Sequence, residues 1–182
     1  MSTYLLEIGT EELPADLAQD VISQIELNVN NDLNSSQIKF REIRVTSTPR
    51  RITLTIQGIA PFSEDNVDER KGPPLSQSFH EGKPTKAAIG FAKRYDISPE
   101  NLEVRETPKG SFVFAKSIDK GKPVVTLLAD YLPVWISKIQ GRRFMRWGEG
   151  DFRFSRPIRW IVSLLDSEVV PFTISGCDPE IV

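Results

Sequence analysis

Arginines interleaved with aromatic rings are the residues of this sequence with the clearest chemical use. They occur as Arg142-Arg143-Phe144-Met145-Arg146-Trp147-Gly148 and again as Phe154-Ser155-Arg156-Pro157-Ile158-Arg159-Trp160. A guanidinium is a forked donor matched to phosphate, and a Phe or Trp face stacks on an unpaired base, so this composition suits RNA. Smaller basic groups stand at Arg50-Arg51 after Pro49, at Lys83 and Lys86 around Pro84-Thr85, and at Lys93-Arg94. The candidate RNA contacts are therefore Arg50, Arg51, Lys83, Lys86, Arg142, Arg143, Arg146, Trp147, Arg156 and Arg159.

Each has an ordinary structural alternative. Trp160 is in phase with Ile158, Val162 and Leu164 and reads as core. Trp147 and Phe144, beside Gly148 and Gly150, divide evenly between core and base platform. Arg50 and Arg51 can pair with acids of the first helix, and Arg156 or Arg159 can be buried against the same acids. Lys86 and Lys93 fit a solvated helix face. Against this, Arg142, Arg143, Arg146, Arg156 and Arg159 outnumber their local acids, Glu149 and Asp151.

Other chemistry lacks its residues. The single histidine, His80, sits in a polar stretch far along the chain from the single cysteine, Cys177. A His/Cys metal site lacks ligands, and neither Ser-His-Asp nor Cys-His catalysis has local support. No GxxxxGK[ST] or GxGxxG turn is present to cradle nucleotide phosphates. Glu11 and Glu12 are adjacent, so their side chains diverge; they suit the start of a helix better than acid–base catalysis. A hydrolase or editing activity has no visible nucleophile.

The net charge of −2 hides an uneven distribution. Residues 1–38 hold seven acids and no Lys or Arg, whereas residues 138–159 hold seven bases and two acids. Such a basic stretch attracts anions. Charge alone slightly favours a solvated surface. With 39% hydrophobic residues the chain has material for a core, and it has no run of apolar residues long enough to span a bilayer. A lone cysteine and the absence of a secretory-type start predict a cytoplasmic setting, or an organelle where a transit peptide has been removed.

The elements that must carry these side chains are legible in the periodicity. Residues 4–8 read as a buried strand. Leu13, Leu17, Val21, Ile25, Val29 and Leu33 recur at spacing four and predict an amphipathic helix, with Thr10 as N-cap, Glu11 and Glu12 in its first turn and Pro14 at its entrance. Residues 38–46 and 51–57 are strands, the second with clean alternation. Residues 61–74, polar and proline-rich, predict an exposed loop and a lobe boundary. A helix follows over 85–95, with Ala87, Ala88 and Phe91 on its apolar face, and then a hairpin through Pro108-Lys109-Gly110. A third helix runs over 125–139 and is kinked or divided by Pro133. Strands at 157–165 and 169–174 close the order, and the chain reads as cut short after them. The fold expected is α/β or α+β, a mixed, largely antiparallel sheet packed with the three helices.

The same segments carry a family resemblance. Leu6-Glu7-Ile8-Gly9-Thr10-Glu11-Glu12-Leu13-Pro14, Thr48-Pro49-Arg50-Arg51 and Lys71-Gly72-Pro73-Pro74 come in that order. Gly82-Lys83-Pro84-Thr85-Lys86-Ala87-Ala88-Ile89-Gly90-Phe91-Ala92, Met145-Arg146-Trp147-Gly148 and the block 154–160 follow. Together they resemble the beta subunit of the bacterial-type, heterotetrameric glycyl-tRNA synthetase. The resemblance implies a non-catalytic N-terminal domain of that subunit. Its partners would be the alpha subunit and tRNA(Gly), with neither a membrane nor DNA involved. ATP with Mg would be used at the alpha subunit, and no cofactor in this segment, which alone would be inactive. It also implies a fold that resembles the B3/B4 region of the phenylalanyl synthetase beta subunit. Two roles follow from it, a contribution to tRNA binding or an assembly module that docks the rest of beta or alpha.

Overall fold

In the computed structural model, every residue is described except 81, 109, 148–149, 177–179 and 182. The chain begins with β1 (Ser2–Thr10), α1 (Ala15–Ser35), β2 (Glu42–Thr48) and β3 (Arg51–Ile59). It continues through β4 (Asn66–Pro74), α2 (Leu75–Ser78), β5 (Phe79–His80), β6 (Lys83–Pro84), α3 (Lys86–Arg94), β7 (Glu103–Thr107) and β8 (Gly110–Asp119). Then come α4 (Val124–Ser137), β9 (Met145–Arg146), β10 (Arg153–Phe154), β11 (Ile158–Leu165), β12 (Glu168–Val169) and β13 (Glu180–Ile181). The result is a mixed α+β fold whose pairings among the described residues are antiparallel except for β11 with β13. It divides into two units: Met1–Glu64 with Lys122–Val182, and Asp65–Gly121.

The first unit is built on a sheet of order β12-β11-β1-β3-β2, with β13 also beside β11. One face is mostly apolar: Tyr4, Leu6 and Ile8 of β1 line up with Ile56, Leu54 and Ile52 of β3, all buried, and the Tyr4 hydroxyl is satisfied by buried Ser163 Oγ of β11 at 2.9 Å. Onto it α1 lays the stripe Leu17, Val21, Ile25, Val29 and Leu33. Each such side chain stabilises by roughly 1.5–3 kcal/mol on burial. The α4 helix adds Leu128, Leu132, Trp135 and Ile136 to the same core. Trp135 Nε1 donates to Asp32 Oδ2 at 2.8 Å, which ties α4 to α1. Pro133 neither divides nor ends α4. Burial of the stripe on both sides of it offsets the hydrogen bond that proline cannot make.

The N-terminal cap of α1 differs from expectation. Pro14 occupies the cap position without a side-chain hydrogen bond, and the acid of the first turn is Asp16. Thr10 ends β1, and Glu11 and Glu12 belong to the link between them. The last strand pair is also shorter than the periodicity predicts. Of the predicted partner only Val169, together with Glu168, pairs with β11, and Val170, Phe172 and Ile174 are buried outside any strand before the chain returns to β11 at β13.

In the second unit β4, β8 and β7 form an antiparallel sheet in that order. Residues 66–74 are thus an edge strand rather than a loop. Every side chain from Asn66 to Lys71 is exposed, so no alternation marks the strand, and its charges and prolines are those of a protected edge. Thr85 caps α3, accepting from the Ala88 amide at 3.5 Å. Ala88 and Ala92 are buried against Val113 and Ala115 of β8, while Ala87 is exposed. Gly72 sits against Phe91, whose ring lies 2.5 Å from where a Cβ would be, so the 71–74 and 82–92 blocks meet here. The β7–β8 hairpin is as expected, although Lys109 in its turn lies outside the described residues.

Candidate nucleic-acid interface

Three blocks converge at one end of the main sheet. Thr10 N donates to Arg50 O at 2.9 Å, Leu13 N to Pro49 O at 2.6 Å, and Glu11 N to Pro157 O at 3.2 Å. The link 10–14 is thereby laced between the turn before β3 and the segment before β11. Side chains complete the lacing. Arg156 Nε donates to Glu12 O at 2.9 Å, Arg51 lies 3.4 Å from Glu7, and Glu11 lies 3.7 Å from Arg50 and 3.8 Å from Arg159. The acids come from β1 and the link after it, not from the first helix. Arg159 is exposed rather than buried, and the guanidinium of Arg156 is held by carbonyls, not by carboxylates.

Trp160 is not core. The antiparallel register sets it opposite Gly9, on the sheet face away from α1. Its ring covers Gly9 so closely that a Cβ there would lie inside it. Trp160 Nε1 donates to Glu7 Oε1 at 3.0 Å, and the same carboxylate oxygen faces Arg51. Val162 and Leu164 continue this face beside Leu5, all half-buried and outside the core. Thr10 Oγ1, at the end of β1, is buried without a hydrogen-bond partner among the described residues.

The second arginine group is built differently. After α4, Gln24 fastens residue 140 by both backbone groups: its amide donates to Gln140 O at 2.9 Å and its carbonyl accepts from Gln140 N at 2.8 Å. The chain then turns through residues 141–144 with Arg143 at φ +65°, a conformation that non-glycine residues enter at a cost. It enters the two-residue hairpin of β9 and β10, where Arg146 stands directly across from Arg153. Like charges at opposed positions repel. Asp151 lies 3.5 Å from Arg146 and is itself fully exposed. Arg142, Arg143, Arg146 and Arg153 are all exposed. Glu149 and Gly148 lie outside the described residues.

Phe144 and Trp147 are half-buried and pack against the core, and Trp147 Nε1 donates to Phe154 O at 3.0 Å. Trp147 is an anchor of the hairpin. Two open clefts flank residues 139–141. One, of about 390 Å³, sets Asp16 and Asp20 of α1 across from Arg142. The other, of about 480 Å³, is lined by Ile139, Gln140, Phe144, Asp151, Phe152 and Arg153. Phe152 and Arg153 escaped the sequence reading as site residues; the alternation Phe152-Arg153-Phe154 was the available signal. Lys83 and Lys86 belong to the second unit, exposed in β6 and at the start of α3. Among the described residues no group of three His, Cys, Asp or Glu is placed to hold a metal, and no helix is long and apolar enough to cross a membrane.

Comparison with known proteins bears out the family resemblance. The glycine–tRNA ligase beta subunit of Acaryochloris marina is 44% identical over 97% of this chain, which is 25% of its own length. That of Picosynechococcus sp. is 45% identical over 96% of the chain and 24% of its own length. That of Geobacter metallireducens is 41% identical over 98% and 26%. The chain spans about a quarter of the curated relatives it matches. The family model described as glycyl-tRNA synthetase beta subunit matches residues 4–180, and the chain belongs to that family.

Proposed function

We propose that this chain serves in the charging of tRNA(Gly) with glycine as a non-catalytic domain, and that its contribution is an RNA-contacting surface on residues 142–153. ATP, with Mg, would be consumed at an alpha subunit. The observation that carries the reading is the exposed hairpin with Arg146 opposite Arg153 and a left-handed Arg143 before it. A phosphate between the two guanidinium groups relieves their repulsion and gains charge-assisted hydrogen bonds.

The test is Arg142→Ala, Arg143→Ala and Arg146→Ala together, in beta paired with alpha. Stability should change by no more than about 0.5 kcal/mol, since the residues are on the surface. The logarithmic salt slope of tRNA affinity should shrink by roughly 0.7–0.9 for each phosphate that loses its arginine. Cognate and non-cognate tRNA should be affected alike, because phosphate contacts carry no sequence information. An unchanged affinity and slope would remove the RNA role.

A second reading has its own observation. Leu5, Val162 and Leu164 are half-buried and Val169 is 53% exposed on the sheet face away from α1. That apolar strip suits docking of another polypeptide, and such an interface would be insensitive to salt.

A further inference from the structure

The 480 Å³ cleft beside the arginine hairpin differs from the surface around it in being floored by rings. Phe152 lies nearly parallel to the fully buried Phe154, at 11° and 6.1 Å between centroids, and Phe144 is tilted against Phe154 at 5.6 Å. Phe154 is therefore the fixed centre, and the two half-buried rings flanking it line the cleft with Ile139. The polar groups at the rim are Arg153, Asp151, Gln140 and Ser137, the last with its hydroxyl donating to Pro133 O at 2.7 Å. The backbone of Gln140 is committed to Gln24, which holds this wall rigid.

We propose that this cleft takes one unpaired nucleotide of an RNA, its base stacked on Phe152 and its edge met by Arg153 and Asp151. The proposal rests on the RNA reading of the hairpin and adds what the arginines lack, a means of distinguishing single-stranded from paired RNA. Three features select this occupant. The volume falls in the usual range of small-ligand clefts, about 300–1,000 Å³. An aromatic floor binds any base face without regard to sequence. Arg153 at the rim and Arg146 across the hairpin from it share Asp151, the single nearby carboxylate among the described residues, so the phosphate that every nucleotide brings adds a counter-charge that an apolar peptide side chain would not. The guanidinium donates to ring nitrogen or carbonyl acceptors, and the carboxylate accepts from an amino or imino group, so both kinds of base edge can be satisfied.

The test compares Phe152→Leu and Phe152→Tyr in beta paired with alpha, using tRNA(Gly) and a blunt RNA duplex as probes. Leucine keeps apolar bulk against Phe154 and removes the stacking face; tyrosine keeps both. Phe152→Leu should weaken tRNA binding about tenfold, within the range for removal of one base stack. The salt slope should stay as in the parent, because every phosphate keeps its arginine. Duplex binding should not change, and Phe152→Tyr should bind tRNA as the parent does. The proposal falls if Phe152→Leu binds tRNA within about twofold of the parent while the triple arginine variant has a smaller salt slope; the phosphate surface then stands without a base site. It also falls if Phe152→Leu weakens tRNA and duplex equally, or if Phe152→Tyr fails to restore binding, since either marks Phe152 as packing alone. Unchanged binding in both the Phe152→Leu and the triple arginine variants would instead sink the RNA reading itself.

Discussion

Two arginine groups lie in the first unit, and they differ in where their partners come from. Arg50, Arg51, Arg156 and Arg159 meet Glu7, Glu11 and the carbonyl of Glu12, groups brought to them across the fold. Arg142, Arg143, Arg146 and Arg153 stand on a short hairpin and its preceding turn, where Asp151 is the carboxylate the described residues bring within ion-pair reach. The first group laces three chain segments together. The second sits over a rigid aromatic base, with two of its members opposed at repelling positions. Arginine content alone therefore says little about RNA; what distinguishes the groups is whether the fold has already supplied an anion.

The largest effect is expected at Gly9, beneath the laced group. Gly9→Val would drive a side chain into the space of the Trp160 ring. Overpacking of this kind costs about 1–3 kcal/mol or somewhat more. A destabilisation of about 3 kcal/mol by denaturant unfolding is expected, with tRNA affinity of the folded fraction little changed. A variant as stable as the parent would show that the ring is free to move aside and that the lacing holds little.

Next is the indole hydrogen bond. Trp160→Phe keeps most of the ring over Gly9 and deletes the donor to Glu7, a carboxylate whose side chain is only 20% exposed. Hydrogen bonds to charged groups contribute about 1.5–3 kcal/mol, and Arg51 remains to share the charge, so stability should fall by about 1.5 kcal/mol. If Trp160 served instead as a base platform, phenylalanine would retain stacking and stability would barely move.

These residues also mark how far the sequence could be read. The α1 stripe was legible because five buried apolar residues recur at a fixed spacing of four, and the Thr85 cap because its hydroxyl acts on its own helix. Strand β4 was hidden because an edge strand exposed on both faces has no alternation to display. Trp160 sits in phase with apolar neighbours, yet phase identifies a face, not which face meets the core; only the register with Gly9 decides that. The surplus of arginines over local acids was legible, and their partners do come from the start of the chain, but from β1 and the link after it rather than from the helix. Arg51 meets Glu7, Arg50 and Arg159 meet Glu11, and Arg156 donates to Glu12 O 144 residues away. The open hairpin was legible in the basic composition of 138–159, but its cleft was not, because Ile139, Phe144 and Phe152 meet only after folding.

The smallest effect expected is at the Glu11 pairs, and it tests the comparison most directly. Glu11 serves two guanidinium groups at 3.7 and 3.8 Å, long for an ion pair, and all three side chains are about half or more exposed. Exposed pairs of this kind contribute about 0.2–1 kcal/mol and are screened by salt. A double-mutant cycle of Arg159→Ala with Glu11→Ala should return a coupling of about 0.5 kcal/mol or less at low salt, vanishing as salt is raised. The role in RNA binding is read separately. A phosphate reaching Arg159 would have to displace Glu11 or share the site with it, so Arg159→Ala should leave the salt slope of tRNA affinity where it was. The triple variant on the hairpin should lower that slope. If Arg159→Ala lowers it by roughly 0.7–0.9, a phosphate was bound there in the parent. The laced group would then be part of the RNA surface, its glutamates holding the arginines in place for the phosphate rather than in its stead.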